Sequence, residues 1–318
     1  MSVDFDLTHP PLYFLSVNYN STELLKKLLG SLGPNQGIVI VNNSPEDEKV
    51  HRLAGNFYGG GESVVLDATE NVGFGAGCNI GLRWVYARSP HALVWLINPD
   101  AQLLPTAIGS VRQILSDQLD IAILGTPVLD DKGCLWFGSG QFNRWTGAVT
   151  AQREAAHSLT PRSVSTQPIS TQWVSGCSMV LNLAVLAHCP QFDETYFLYY
   201  EDCDLCTRYL QQGQRVAIAP QPLVVHAVSS ITSRYTRSKY AHATFSKLTF
   251  LCRHATPLAL GLNMIYLFGQ SLGHRDRDAA QGRWIGIKRF VKLFIQGLLK
   301  AKAIAMPDMS QPSHTDAR

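Results

Sequence analysis

Charged residues are scarce in this chain of 318 residues. They make up 16% of the sequence, whereas soluble domains usually carry about 25%. The first residues also lack the basic segment followed by an apolar segment that marks a secretory signal peptide, so we do not expect export. Hydrophobic residues reach 46%, which at this length is enough for a full core and excludes disordered and collagen-like chains.

Cysteine is infrequent as well, with seven residues scattered from Cys78 to Cys252. An odd number of scattered cysteines favours reduced thiols over a disulfide framework, and reduced thiols are typical of the cytoplasm. Cys203 and Cys206 form a single C-x-x-C pair without a second pair or a histidine at metal spacing, so we expect no zinc site. The sequence therefore predicts a cytoplasmic protein.

The two signs of charge are unevenly distributed along the chain. Residues 1–233 contain 13 Lys and Arg against 20 Asp and Glu, whereas residues 234–302 contain 13 against 2. This asymmetry predicts two parts with different roles, and we expect the chemistry in the acidic part. The net charge of +3 indicates no partner by itself, and we expect no nucleic acid. Residues 307–318 are polar and are expected to be disordered.

Short apolar runs alternate with amphipathic segments in the acidic part. Four runs are rich in β-branched or aromatic residues and are bounded by turn-forming residues, at 12–17, 38–41, 63–67 and 92–98. Runs of this kind, with helix candidates between them, predict a parallel sheet in an α/β domain whose ligands bind at the carboxyl ends of the strands. Beyond residue 124 the runs become shorter and richer in glycine, which predicts a mixed-sheet half.

Polar residues follow each of the four predicted strands. These segments are Asn18-Tyr19-Asn20-Ser21, Asn42-Asn43-Ser44, Asn71 to Asn79 with glycines at 73, 75 and 77, and Asn98-Pro99-Asp100. Asparagine offers a donor and an acceptor to a pyrimidine edge, and closely spaced glycines let backbone amides approach a ribose or phosphate. Taken singly, each segment is also explained by ordinary turn formation. No Gly-Lys-Ser/Thr follows the glycines, so a P-loop is excluded.

Four residues suit metal binding or proton transfer. Asp100 is the carboxylate that follows the fourth strand; it suits Mg²⁺ or Mn²⁺ beside a diphosphate, and equally a helix cap. Glu201 and Asp202 follow an aromatic run, which suits a general base with a raised pKa, or else an acidic pair at a helix N-terminus. His226 ends a short apolar run and is a metal ligand, a core histidine or a surface residue.

Seven ordered segments make the chain resemble glycosyltransferase family 2, of GT-A fold, in its rhamnosyltransferase-like branch. They are VNYNS, VNNS, ENVGFGAGCNIG, INPDA, WVSGCSM, FDETYFLYYEDCDLCTR and VVH, and they span roughly residues 12–228. The resemblance implies a Rossmann-like nucleotide-binding half at about 12–125 and an acceptor half at about 126–233, and the basic composition that follows predicts a helical region at 234–306. It further implies the inverting transfer of one sugar, rhamnose or another hexose, from a UDP- or dTDP-linked donor to a hydroxyl of a glycan or lipid-linked glycan.

The same resemblance assigns roles by position. Asp202 matches the catalytic base with Glu201 beside it to orient the acceptor, and Asp100 and His226 match ligands of Mg²⁺ or Mn²⁺. Nucleotide-sugar contacts are implied for Asn18, Asn20, Asn42, Asn43, Asn71, Gly73, Phe74, Gly77, Asn79 and Asn98. Acceptor contacts are implied for Trp173, Ser175 and Gly176, with a core position as the alternative for the tryptophan.

Two positions depart from the family pattern. Asn98-Pro99-Asp100 replaces the usual D-x-D and leaves a single carboxylate for the metal. Asn42 stands where the family usually has Asp, and because an amide accepts the base N–H more weakly than a carboxylate, UDP- and dTDP-linked donors both stay open. The reduced metal motif keeps a non-catalytic nucleotide-sugar-binding module as an alternative. A nucleotidyltransferase would need a basic Gly-rich loop near the first strand, which VNYNS does not provide.

The basic C-terminal part contains two apolar segments. Residues 256–273 are mostly apolar, but proline, glycine, asparagine and glutamine interrupt them, which makes the segment marginal for crossing a core of about 30 Å. The segment 283–302 places on one helical face Trp284, Ile287, Val291, Phe294, Ile295, Leu298 and Leu299. Basic residues surround that face, so we expect residues 256–302 to lie on an anionic membrane surface at its cytoplasmic face. A helix docked on the catalytic domain is the alternative.

Overall fold

The computed structural model describes residues 10–33, 35–55, 60–153, 167–227, 236–273 and 276–297. The first elements are β1 (Leu12–Asn18), α1 (Thr22–Ser31), β2 (Gln36–Asn42), α2 (Lys49–Gly55), β3 (Gly60–Asp67), α3 (Phe74–Arg88) and β4 (Leu93–Ile97). They confirm the four predicted strands and the helices between them. The tail expected to be disordered at 307–318 lies outside the described residues.

The remaining strands are short and the remaining helices long. The middle of the chain forms β5 (Ala101–Leu103), α4 (Ala107–Asp117), β6 (Ile121–Gly125), β7 (Val128–Asp130), β8 (Leu135–Phe137), β9 (Gly140–Asn143), β10 (Ala148–Ala151), β11 (Ile169–Ser170) and β12 (Ser178–Asn182). The last elements are α5 (Glu201–Gln211), β13 (Arg215–Ile218), β14 (Val224–His226), α6 (Thr236–His254), α7 (Pro257–Gly273) and α8 (Arg277–Ile295).

An eight-stranded sheet with the order β11-β13-β6-β12-β4-β1-β2-β3 forms the centre. Strands β1 to β4 pair in parallel with their neighbours among the four, while β12 runs antiparallel between β4 and β6. This confirms the α/β class with a mixed sheet. Parallel strands are covered on both faces, which explains why every residue of β4 and β6 is buried.

The largest buried side chains lie in the middle of this sheet. Phe14 of β1 stacks on Trp95 of β4 with ring centroids 5.3 Å apart. The indole Nε1 of Trp95 donates to Ser178 Oγ at 2.9 Å, so the one polar atom of this ring is satisfied inside the core. The core is therefore continuous from the parallel strands into the antiparallel strand β12.

The pairing register brings the polar strand ends to one edge. Asn18 is paired with Asn42, and Asn42 with Asp67, at the carboxyl ends of β1, β2 and β3. In a second sheet, ordered β5-β14-β7-β8, His226 of β14 is paired with Ala101 of β5. Asp100 and His226 are separated by 126 residues in the chain, and this pairing places them side by side.

The three C-terminal helices pack on one another, with α6 and α8 closest. A Cβ on Gly282 of α8 would lie 2.4 Å from the backbone oxygen of Arg237, and one on Gly286 would lie 2.6 Å from that of Ala241. Only glycine permits this approach of the two backbones. Ile287 and Phe290 of α8 are buried there against Phe245 of α6.

This packing corrects the membrane face expected on segment 283–302. Ile287 is buried, and Val291 and Phe294 pack against the same cluster, so most of the described part of that face contacts protein. Leu298 and Leu299 lie outside the described residues. The apolar face that stays exposed belongs to α7 instead, because α7 presents Leu258, Leu262, Ile265 and Leu272 outward. Among the described residues no helix is both long enough and apolar enough to cross a membrane.

Candidate active site

A cleft of about 1030 Å³, here called the main cleft, opens at the carboxyl ends of β1, β2 and β4. The loop before β12, the start of α5, the end of β14 and the first turns of α6 complete its walls. The residues predicted from sequence that line it are Asn43, Asn71, Gly73, Phe74, Asn98, Asp100, Trp173, Ser175, Gly176, Glu201, Asp202 and His226. The cleft therefore unites the predicted metal ligands with both predicted catalytic acids.

Asp100 and His226 contact each other directly on one wall of the main cleft. His226 Nε2 lies 2.9 Å from Asp100 Oδ1, and both side chains are almost fully buried. The second ring nitrogen, Nδ1, is buried without a hydrogen-bond partner, and the Trp136 ring packs on the imidazole at 4.8 Å. A carboxylate and an imidazole held together in this way suit one divalent cation.

The same wall supplies few further ligands. Within the described ranges, no group of three or more His, Cys, Asp and Glu side chains could hold a metal ion. The donor set therefore fits Mg²⁺ or Mn²⁺ only if other oxygens, such as those of a bound diphosphate and water, complete the shell. A site of this composition would depend on the presence of the phosphate ligand.

Asp202 also lines the main cleft, from the start of α5. Its Oδ2 accepts the backbone N–H of Gly176 at 3.0 Å, and its Oδ1 accepts that of Cys203 at 2.8 Å. Burial raises the pKa of Asp202, and these N–H groups oppose part of the rise because they favour the charged form. The carboxylate is thus oriented by backbone donors and has a stronger affinity for a proton than an exposed aspartate.

Glu201 occupies a different environment from its neighbour. It is buried beneath α3, next to Gly75, and its Oε2 has no hydrogen-bond partner. Burial raises the pKa of Glu201 well above its usual value, and the Asp202 charge raises it further. The two acids therefore differ in exposure, and the half-buried Asp202 is the better placed of the two to meet a substrate.

Two consecutive tyrosines in left-handed conformation precede α5. Tyr199 and Tyr200 have φ of 69° and 68°, a region that costs a non-glycine residue about 1–3 kcal/mol. The preceding turn places the Phe197 carbonyl where it accepts the N–H of Phe74 at 3.0 Å. At Gly73, with φ of 90°, a Cβ would lie 2.4 Å from that same oxygen. Strain at the tyrosines thus accompanies a close contact between the starts of α3 and α5.

Asn43 organises the loop that precedes α3. Its Nδ2 donates to Asn71 Oδ1 at 3.0 Å and to the Gly73 carbonyl at 3.3 Å, while its Oδ1 accepts the N–H of Val72 at 2.9 Å. Asn71 Oδ1 accepts the N–H of Gly73 as well. These bonds hold the polar groups of the loop at the edge of the main cleft.

Five residues predicted to contact the nucleotide sugar do not line the main cleft. Asn18 and Asn42 are buried behind its edge, where they donate to Asp47 Oδ2 and Asp67 Oδ1 at 3.2 and 3.0 Å. Asn20 is exposed beside them. A nucleotide contact for these three stays a prediction, and Asp47 and Asp67 join the same polar edge, which the sequence motifs did not indicate.

Asn79 and Gly77 have structural contacts in α3. The Asn79 side chain bonds both the N–H and the carbonyl of Phe192, at 2.7 and 2.9 Å, and so ties α3 to the segment before α5. A Cβ on Gly77 would lie 2.9 Å from a methyl group of Val17, so glycine permits close packing on β1. Close helix–strand packing, rather than approach to a ligand, accounts for this glycine.

The three residues predicted to contact an acceptor form one segment of the wall. Trp173 is half-buried, with its ring 5.0 Å from that of Phe137 and pressed on the backbone of Gly140. Ser175 Oγ accepts the N–H of Cys177 at 3.2 Å. Gly176 directs its N–H to Asp202, so this segment fixes the carboxylate whether or not it touches an acceptor.

Sequence reasoning missed cationic and aromatic residues of the main cleft. Arg153 and Trp136 line it near His226, and the first turns of α6 add Lys239 and His242. The separation of charge along the chain was a signal that the C-terminal part differs, but it did not indicate that α6 reaches the cleft.

Behind Asp202, a buried ionic cluster joins α5 to α6. Asp204 Oδ1 accepts the Tyr196 hydroxyl at 3.1 Å and lies 2.8 Å from His254 Nε2, and its Oδ2 accepts Arg208 Nε at 2.7 Å. Burial alone would raise the pKa of Asp204, but the His254 hydrogen bond and the Arg208 charge outweigh it and hold the pKa below its usual value. Helix α6 is therefore anchored to α5 next to Glu201 and Asp202.

Comparison with known proteins gives two relatives by sequence. A hexosyltransferase of low-salt glycan biosynthesis, Agl10, from Haloferax volcanii is 22% identical over 238 residues, which cover 74% of this chain and 72% of the relative. An N-acetylglucosaminyl-diphospho-decaprenol L-rhamnosyltransferase from Mycobacterium tuberculosis is 27% identical over 217 residues, which cover 60% of this chain and 67% of the relative.

Solved structures show the same fold at low sequence identity. GalNAc-T7 with UDP, GalNAc and Mn²⁺ has a TM-score of 0.58 at 11% identity, covering 92% of this chain and 58% of that protein. The mannosyltransferase PcManGT from Pyrobaculum calidifontis, in complex with GDP-Man and Mn²⁺, has a TM-score of 0.52 at 15% identity, covering 93% and 90%. Both are GT-A glycosyltransferases, and the predicted GT-A fold is confirmed.

The family assignment depends on the sequence itself. The model of the family described as glycosyltransferase like family 2 matches residues 10–251, which include every residue named above as lining the main cleft. Because the match covers most of the chain and the relatives are hexosyl- and rhamnosyltransferases, the chain belongs to glycosyltransferase family 2 and is a glycosyltransferase.

Proposed function

We propose that this glycosyltransferase moves one hexose, of the rhamnose type, from a nucleotide-diphosphate donor to a hydroxyl of a lipid-linked glycan, with inversion and with a divalent metal. One observation carries the proposal: Asp202 and the Asp100–His226 pair line the same cleft of about 1030 Å³. That volume accommodates a sugar between a base and a phosphate-binding wall.

Asp202 acts as the general base. Inversion in one displacement requires a single group that accepts the proton of the acceptor hydroxyl as the sugar–oxygen bond forms. The N–H groups of Gly176 and Cys203 orient the carboxylate, and burial raises its pKa toward the working pH, which strengthens it as a base. Trp173 beside it offers an indole face to the apolar face of an acceptor sugar.

Asp100 and His226 would hold Mg²⁺ or Mn²⁺. Such an ion, when bound, neutralises charge on the departing nucleotide diphosphate. The two structural relatives contain Mn²⁺ with UDP and with GDP-Man, which supports a metal and a nucleotide-sugar donor for this chain as well. Asn43 and Asn71 keep the loop before α3 in place for the nucleotide, and Asn42 leaves UDP- and dTDP-linked donors as alternatives.

The acceptor and the location follow from a relative and from α7. The Mycobacterium tuberculosis relative is named for an acceptor carried on diphospho-decaprenol, which favours a lipid-linked acceptor here. Helix α7 carries no charged residue and exposes Leu258, Leu262, Ile265 and Leu272 on one side. Lys288 of α8 lies over Trp284, whose ring contacts Phe268 of α7, so at least one cation lies near the apolar face. An apolar face with a cation nearby suits an anionic bilayer at its cytoplasmic face.

The substitution Asp202→Asn tests the chemistry. We expect a loss of transfer of about 10²–10⁴-fold, because the amide cannot accept the proton, while calorimetry shows unchanged donor binding. Asp131→Asn, at an exposed loop acid, is the matched control. Transfer is followed by release of UDP or dTDP from a panel of hexose donors. Full transfer by Asp202→Asn, or a product that keeps the donor's anomeric configuration, would refute the proposed base.

The same assay distinguishes the second candidate function, a nucleotide-sugar-binding module without catalysis. The single carboxylate of Asn98-Pro99-Asp100 is the observation that favours it. A module would bind donor with or without Mn²⁺ and would support glycan assembly in cells equally well with Asp202→Asn. Loss of glycan assembly with retained donor binding would exclude it.

A further inference from the structure

A second cavity of about 580 Å³ lies between α6 and α8 and is here called the α6–α8 cavity. Its walls include Ser238 and His242, which also line the main cleft. The two spaces are therefore neighbours on either side of the first turns of α6. A molecule that reaches Asp202 from the C-terminal helices would lie along this path.

Cations without a carboxylate partner border the path. Lys239 lies on the main-cleft side and Arg289 on the α6–α8 side. Among the described residues, the ion pairs of these helices join Arg237 to Asp278 and Arg253 to Asp193 and Asp204, so neither Lys239 nor Arg289 is neutralised. Asp278 borders the α6–α8 cavity, and its charge is already matched by Arg237 at 2.8 Å.

His242 adds a directed polar group between the two cations. Its ring stacks on Phe197 with centroids 4.5 Å apart, and its Nδ1 is buried without a hydrogen-bond partner. Burial and the nearby Arg289 charge lower the pKa of His242, which keeps the ring neutral at pH 7. Two cations that have no carboxylate partner within the described ranges, together with a neutral imidazole, form a surface that suits a phosphate-bearing ligand.

The far end of the path is apolar. Ile285 borders the α6–α8 cavity with its side chain half exposed, and Trp284 next to it contacts Phe268 of α7. The main cleft and the α6–α8 cavity therefore adjoin a cationic stretch, and Ile285 adds an exposed apolar side chain at the cavity.

We infer that the diphosphate of a polyprenyl-diphosphate-linked acceptor binds where the α6–α8 cavity adjoins the main cleft, held by Arg289 on the cavity side and Lys239 on the main-cleft side, with the lipid chain leaving past Ile285. This inference rests on the proposed transfer to a lipid-linked glycan. It assigns the acceptor diphosphate to α6 and α8, whereas the donor diphosphate belongs to the wall of Asp100 and His226. The same order, sugar then diphosphate then lipid, places the acceptor sugar beside Asp202.

Binding of farnesyl diphosphate to the full chain tests the inference, with farnesol, inorganic pyrophosphate and UDP as comparison ligands. Calorimetry should show that farnesyl diphosphate binds at least about tenfold tighter than farnesol or pyrophosphate, because only it engages both cations and the apolar exit. The double variant Lys239→Gln, Arg289→Gln should weaken farnesyl diphosphate by about tenfold or more. Lys292→Gln, an exposed cation one turn farther along α8, is the control and should change nothing.

The affinity for UDP shows whether the two cations bind the diphosphate of the acceptor or that of the donor. Unchanged UDP affinity in the double variant supports an acceptor subsite, and it also shows that the variant is folded. A loss of UDP affinity equal to the loss for farnesyl diphosphate would assign the cations to the donor and overturn the inference. Arg289→Lys, which keeps the charge, should retain most of the affinity for farnesyl diphosphate. Equal affinities for farnesol and farnesyl diphosphate would also overturn it.

These measurements need no turnover, so they separate the two proposals. Transfer that depends on Asp202 without farnesyl diphosphate binding refutes the subsite alone. Binding that depends on Lys239 and Arg289 without any transfer refutes the proposed reaction and leaves the subsite standing.

Discussion

The sheet region (residues 10–227) and the helical region (residues 236–297) bury their apolar residues to different extents. Strands β4, β6 and β12 are buried along their whole length, since helices and neighbouring strands cover them. Helix α7 is the most apolar helix of the described chain, yet Leu258, Ile265 and Leu272 are each more than 70% exposed. The central strands of the sheet region are therefore covered within the chain, whereas α7 leaves a large apolar face exposed.

The joint between the regions combines a buried apolar cluster, in which Phe250 and Leu251 of α6 pack with Tyr196 and Cys203, with buried ion pairs. Asp204 of α5 binds His254 at the end of α6, and Asp193 lies 2.6 Å from Arg253 of the same helix. Buried ion pairs are favourable only when their charged groups are closely aligned. These contacts therefore fix the orientation of α6 over the main cleft. The helical region is therefore positioned by the catalytic region, and it brings Lys239 and His242 to the cleft in return.

The largest expected effect comes from breaking this joint. Asp204→Asn should lower the free energy of unfolding by about 3–5 kcal/mol at neutral pH, because it leaves Arg208 without its buried counter-charge. Since the folded-state pKa of Asp204 is lowered, its contribution is present above its unfolded pKa of about 3.9 and is lost as the pH falls through the folded value. Urea unfolding from pH 7 down to pH 3 should show the two proteins converging in acid.

Asp120→Asn is the control for that measurement. Asp120 pairs with Arg215 at 2.9 Å, but its side chain is two-thirds exposed, so little stability should be lost. A loss as large for Asp120→Asn as for Asp204→Asn would contradict the buried joint.

An intermediate effect is expected inside the sheet region, at the contact between α3 and α5. Gly73→Ala should cost about 1–3 kcal/mol, because φ of 90° is unfavourable for alanine and its Cβ would meet the Phe197 carbonyl. Displacement of that turn should also lower kcat/KM, since Asn71 and the start of α5 depend on it. Unfolding in urea and initial transfer rates give the two readouts.

Gly109→Ala on α4 is the matched glycine control. A Cβ there meets no atom within 4 Å, so the helix should gain stability by about 0.5–1 kcal/mol. If Gly73→Ala behaved like Gly109→Ala, the close contact between the two helix starts would be disproved.

The smallest effect on stability is expected on α7. Substitutions there should distinguish the two regions by their effect on vesicle binding. Leu262→Ser with Ile265→Ser should leave the free energy of unfolding within about 1 kcal/mol, because both side chains are already exposed. Sedimentation with vesicles that contain about 30% anionic lipid should nevertheless fall several-fold, because the two serines interrupt the apolar face. Leu119→Ser, at an equally exposed leucine of the sheet region, should leave sedimentation unchanged.

Local patterns predicted the elements well and the site only in part. The first four strands are found where β-branched and aromatic runs end in turn-forming residues, since these runs suit buried parallel strands. Asp100, Asp202 and His226 were chosen one by one from their residue types and from the family resemblance. That they share a cleft depends on the pairing of β14 with β5, which no local pattern contains.

The apolar faces of the C-terminal helices show the same limit. Helical periodicity correctly grouped Ile287, Val291 and Phe294 on one side of α8, but α6 covers that side because Gly282 and Gly286 admit its backbone. The apolar face with the larger exposure is therefore that of α7. Periodicity identifies which residues share a face, whereas packing decides which face remains open.

The amino-acid sequence by itself determined the α/β class, the order of the strands and helices and the membership of the family, because these follow from the spacing of apolar residues and from motifs that are local in the chain. Only the tertiary structure decided that Asn79 ties α3 to Phe192, that α6 reaches the main cleft and that Lys239 and Arg289 border two adjoining spaces. These features depend on long-range pairing and on the packing of backbones, and their free energy is shared among residues far apart in the chain.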